Sequence, residues 1–104
     1  MIIELNADKN LTIHDEFRTK LTDVLTDELS RFSEHISRLI VHLSDENSSK
    51  NTVNVKRCLM EARLEGKQPV AVSDLGDNYE LAVNGAVIKM RGSLDSIINR
   101  SRKH

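Results

Sequence analysis

Two alternating runs in the middle of the chain set the strongest limit on its fold. RLIVHLS (38–44) is rich in branched side chains and places Leu39, Val41 and Leu43 on one side. Residues 54–64 repeat the pattern. Cys58, Met60, Ala62 and Leu64 share one face, and Arg57, Glu61 and Arg63 share the other. A period of two is the period of a strand. One apolar face and one charged face per strand predict a sheet covered on one side and wet on the other.

Helical patterns flank these strands. Residues 2–7 (IIELNA) read as a short strand. After it, Phe17, Leu21, Val24, Leu25, Leu29, Phe32 and Ile36 recur in steps of three and four, predicting one helix of about 20 residues. Thr12 and Asp15 have capping-box spacing at its start, with Asp in place of the usual Glu. DENSSKN (45–51) is polar and predicts a loop. Glu65–Gly66 predicts a tight turn into a strand at 69–73, where Pro69 belongs at a strand start or a sheet edge. A last helix is predicted from Asp77, with Asp77 and Glu80 as its capping box. Its stripe is Tyr79, Ala82, Val83, Ala86, Val87, Met90, Leu94 and Ile97. Gly85 and Gly92 each cost roughly 1 kcal/mol of helix propensity, so this helix must lean on packing, and Gly85–Ala86 permits a close approach to the sheet.

The order β-α-β-β-β-α predicts an α+β fold. Two helices pack on one face of a four-stranded, mostly antiparallel sheet, in the manner of a double-stranded-RNA-binding domain. The 104 residues, 38% hydrophobic and 30% charged, fit one domain spanning 1–104. No apolar run approaches the roughly 18 residues that span a bilayer, and MIIELNADKN does not read as a signal peptide. A single cysteine suits a reducing compartment.

The residue pattern argues against catalysis. Cys58 lies on the apolar face, and no histidine is near it in sequence to serve as its base. His14, His35, His42 and His104 form no metal-ligand spacing, and no phosphate loop is present. Neither a cofactor nor a small-molecule substrate is expected. Charge is the better lead. Residues 1–49 carry a net charge of −5 and residues 50–104 one of +4. Arg57, Arg63 and Lys67 on the long strand and its turn are candidates for phosphate contact, with Lys89, Arg91, Arg100, Arg102 and Lys103 on the last helix and tail. Phe17, Phe32 and Tyr79, the only aromatic residues, fall on apolar stripes and are poorly placed to stack on bases. Structured RNA, met through its backbone, is therefore the expected partner.

Four segments are similar to the ribosome hibernation factors, the hibernation-promoting factor and ribosome-associated inhibitor family, also called sigma-54 modulation proteins. They are EFRTKL (16–21), RFSEHISRLIVHLSDEN (31–47), KRCLMEARLEGKQPVAV (56–72) and AVNGAVIKMRGSL (82–94). The last is similar to the family's A-I-D-x-A-x-D-K-L-x-x-x-L helix. The resemblance implies a cytoplasmic, non-enzymatic protein that binds small-subunit rRNA near the decoding region and inhibits translation or stabilises idle ribosomes. It places Lys89 on the family's helix lysine, Arg91 close to further basic positions, and Arg57 and Arg63 on the long strand. Ile88 departs from a common Asp, and GSLDSIIN replaces a dense basic run. An acidic first helix also leaves open a protein-interaction module of the same fold, and the exposed edge at 69–73 leaves open a homodimer.

Overall fold

The structure, a computed structural model, describes residues 1–8, 11–45 and 55–102. Its elements are β1 (Ile2–Ala7), α1 (Asp15–Glu28), a 3-10 turn (Ser30–Phe32), β2 (Ile36–Asp45), β3 (Lys56–Leu64), β4 (Val70–Gly76) and α2 (Tyr79–Arg102). The sheet order is β1-β2-β3-β4. β2, β3 and β4 pair antiparallel in sequence, whereas β1 pairs parallel to β2. A parallel neighbour needs a crossover, and α1 supplies it. β1, β2 and β4 therefore run one way. Each helix follows one of them and returns, so α1 and α2 lie in the same direction.

The predicted alternation holds. Leu39, Val41, Leu43, Cys58, Met60 and Ala62 are fully buried, in register across β2 and β3. Leu21 and Leu25 of α1 join them, as do Ala82, Val83, Ala86, Val87, Met90 and Leu94 of α2. Gly85 brings α2 close to β4, because a Cβ there would run into the Asp74 carboxylate. Gly66 (φ 70°) supplies the left-handed residue in the β3–β4 connection.

Several boundaries differ from the sequence reading. The first helix is not continuous to Ile36. It ends at Glu28, Leu29 leaves the helical region (φ −108°, ψ 14°), and Ile36 opens β2. The apolar steps persist because a 3-10 turn also brings residues three apart onto one side. Leu29, Phe32 and Ile36 thus stay buried without one helix carrying them. Neither predicted capping box forms. His14 occupies the α1 N-cap without a side-chain bond, and Asp15 and Glu16 stabilise the first turn by charge instead. At α2, Asn78 Oδ1 accepts from the Leu81 N–H at 2.8 Å, so the cap is one residue beyond Asp77. β4 runs on to Gly76, past the predicted 69–73. Most of the predicted loop at 45–51 lies outside the described residues.

Three ion pairs stitch the N-terminal half to α2. Lys20 Nζ lies 2.9 Å from Glu80, Arg91 Nη1 3.0 Å from Glu28, and Arg31 Nη2 2.8 Å from Asp95. Their ascending order on both sides is what parallel helices require.

Two stability measurements follow. Asn78→Ala should lower the unfolding free energy by about 1 kcal/mol in urea titration, whereas Asp77→Ala should change it by less than about 0.5 kcal/mol. Met60→Ala should cost about 2–5 kcal/mol, since the cavity opens at the centre of the sheet.

Candidate nucleic-acid interface

The open face of the sheet displays the side chains that alternate with the core. Arg38 pairs in register with Arg63, His42 with Leu59, and Ser44 with Arg57. Leu75 of β4 stands beside Arg57, and Ser73 beside Leu59. Arg38 Nη1 donates to Glu4 Oε1 at 3.0 Å, and Arg63 Nε lies 3.8 Å from Glu61. A hydrogen bond from Asn6, with the charge of Arg38, holds the Glu4 carboxyl below its ordinary range. His42 Nε2 sits 2.8 Å from Asp8 Oδ1.

At the β4 side the face turns over an edge onto α2. Arg57, Ser73, Asp74, Leu75 and Lys89 line an open groove of about 440 Å³. Lys89 Nζ donates to the Ser73 carbonyl at 2.8 Å and lies 3.5 Å from Asp74 Oδ1. Arg57 from the sheet and Lys89 from the helix therefore meet at one place, although they are 32 residues apart.

The remaining candidates are spread out. Arg91 is two residues from Lys89, which is about 200° around a helix. It points to α1 and pairs with Glu28. Lys67 lines a second groove of about 630 Å³ with Gly66, Gln68 and Ile97. Arg63 belongs to the open face with Arg38. Arg100 is exposed, and its Nε donates to the Ser96 carbonyl at 3.2 Å. Arg102 lies in the last turn of α2, and Lys103 is outside the described residues. Arg38 was not among the sequence candidates. Its signal was legible, because RLIVHLS sets it on the same side as His42, opposite Leu39.

Ion pairing tempers these cations. Arg63, Lys89 and Arg91 each have a carboxylate within 4.0 Å. Exposed pairs of this kind are worth about 0–1 kcal/mol, so a phosphate can exchange for the carboxylate at small cost. At the same end of the sheet as Arg57, Asp45 accepts from Lys56 Nζ at 2.6 Å and from the Tyr79 hydroxyl at 3.0 Å. Lys56 above all holds the Asp45 carboxyl below its usual range. Burial, with Asp45 as acceptor, pushes the Tyr79 hydroxyl up to about 12. Tyr79 also packs 6.4 Å from Phe17, centroid to centroid, so neither ring is offered to a base.

No protein-family model and no curated protein matches the chain. Solved structures do. A ribosomal subunit interface protein from Coxiella burnetii superposes with a TM-score of 0.73 at 18% identity, over 95% of this chain and 99% of its own. The N-terminal domain of Protein Y from Thermus thermophilus gives 0.62 at 20% identity, over 93% and 99%. The chain has their fold. The resemblance read from the four sequence segments thus carries through to the whole architecture, β-α-β-β-β-α.

Cys58 lies in the core. It is fully buried, and burial, assisted by the charge of Asp74, pushes its thiol up to about 12. A thiol-specific reagent at pH 8 should leave the native protein unlabelled and label it fully in urea. Labelling of native protein at the unfolded rate would contradict this placement. The sign of the pH dependence follows. Above about pH 9 the unfolded thiol ionises while the folded one stays protonated, so stability should fall as pH rises from about 9 towards 12.

Proposed function

We propose that the protein is a non-enzymatic, cytoplasmic ribosome-associated factor. It binds small-subunit rRNA near the decoding region and inhibits translation or stabilises idle ribosomes. The observation that carries the reading is the likeness in fold, over nearly the whole of both chains, to a protein described as a ribosomal subunit interface protein. The groove where Arg57 and Lys89 converge supports it, since two cations from different elements across one edge suit a phosphate backbone. Arg38 and Arg63 extend the reading across the open face, and Lys67, Arg100, Arg102 and Lys103 are further candidates for phosphate contact. Arg91, turned towards α1, contributes least. Contact through backbone and shape accords with aromatic rings that are held in the packing.

A second reading, a protein-interaction module of the same fold, has one observation in its favour. Leu59, Leu75, Leu81 and Ile88 are each more than 40% exposed. Apolar surface of this kind fits a protein partner better than a phosphate.

Co-sedimentation with ribosomes at two salt concentrations separates the readings. The chain should pellet with small subunits at low salt and be released at high salt. R57E/K89E should abolish pelleting at low salt, because charge reversal adds repulsion to lost contact, whereas R91E should weaken it only modestly. Binding that is unmoved by both salt and R57E/K89E, while Leu75→Asp removes it, would establish the protein-interaction reading instead.

A further inference from the structure

The sheet has two edges, and a helix-borne cation sits on each. Arg18 Nη1 of α1 donates to the Leu5 carbonyl of β1 at 3.1 Å. Lys89 Nζ of α2 donates to the Ser73 carbonyl of β4 at 2.8 Å. The β4 edge is closed more thoroughly. In a strand, backbone groups that point away from the neighbour belong to alternate residues. Ser73 and Leu75 share this outward parity, because the Ser73 carbonyl meets Lys89 and the Leu75 N–H donates to Asp74 Oδ1 at 2.8 Å. Residue 69 has the same parity, and it is proline, which has no N–H to offer. Three of the four outward positions from 69 to 75 are thus closed, each by a different means, and Ala71 is the fourth. Gly85 contributes by leaving room for the Asp74 carboxylate against α2.

We propose that Lys89, with Asp74 and Pro69, guards the outer edge of β4 against pairing with β4 of a second copy of this chain. The partner follows from the residues along the edge. An antiparallel two-fold pairing centred on Ser73 sets Ala71 opposite Leu75 of the copy and Val72 opposite its Asp74. Along the paired strands no like charges meet, and the exposed Leu75 of each copy lies against Ala71 of the other, whereas the Lys89 of each copy, at its Ser73 carbonyl, would stand at the two-fold and oppose the join. An outward row of backbone groups beside exposed leucines is the surface that other strands add to, and a lysine is a common means of blunting it. Lys89 is then a positioning residue for the free, single chain, whatever it does towards RNA.

The test uses the purified full chain alone, followed by sedimentation velocity across a concentration series and by amide hydrogen exchange. Lys89→Met keeps the aliphatic stem and removes the donor, at a side chain that is 53% exposed. It should associate at concentrations roughly tenfold lower than wild type, the ratio that about 1.4 kcal/mol gives. The amides of Ala71 and Ser73 should slow in the associated form. Lys89→Arg should restore wild-type behaviour, and adding Ala71→Pro to K89M should abolish the association. Pro69→Ala restores an edge donor at an exposed loop residue, and it takes the place of K89M should that variant fail to fold. A folded K89M, or P69A in its place, that sediments as wild type overturns the proposal. So does association without slowed exchange at residues 71 and 73, or association that survives Ala71→Pro.

Discussion

The pairing of β2 with β3 is the constraint on which the rest depends. Its register brings Leu39 beside Ala62, Val41 beside Met60 and Leu43 beside Cys58, all without solvent exposure. Fixing these six side chains on one face puts the residues that alternate with them on the opposite face, because a strand has no third side. Both helices are then confined to the apolar face. Arg38, Arg57, Arg63 and the leucines between them are committed to solvent or to a partner. A one-residue slip would bury those arginines, so the same register that builds the core also sets out the candidate interface.

Charge is where the tertiary structure most changes the picture. The sequence divides into an acidic first half and a basic second half, which invites the idea of one broad cationic surface. Parallel helices side by side pair off part of that division at the surface. Lys20 meets Glu80, Glu28 meets Arg91 and Arg31 meets Asp95, each pair linking the two halves. Among the described residues, the cations brought close together are Arg57 and Lys89 at the β4 edge and Arg38 beside Arg63 on the open sheet. Lys89 stands at two features of the fold. It lies in the groove, and it also closes a strand edge.

Much of the fold was legible. Strand alternation in 38–44 and in the 56–64 part of the predicted 54–64, and the α2 stripe from Tyr79 to Ile97, correspond to faces packed in or against the core because tertiary contacts reinforce the local period. The boundaries were less so. The step from Leu29 to Ile36 kept a helical spacing through a 3-10 turn and into a strand, with no glycine or proline to mark the change. The caps were displaced because Asn78 and Asp77 are equally able to cap, and backbone geometry chose between them. The site was legible residue by residue, but not as a constellation. No pattern along the chain says that Arg57 and Lys89 share a groove while Arg91 does not.

The amino-acid sequence by itself determined the element types, the core faces, the inert cysteine and the supply of cations. Each of these depends on periodicity or composition within a short stretch. Only the tertiary structure decided which cations converge, which are neutralised by carboxylates of the other half, and which close the sheet. Those outcomes depend on the rotation of α2 about its axis and on its distance from β4. Both are set by Gly85 against Asp74 and by the packing of Val83, Val87 and Met90, contacts between residues far apart in the chain.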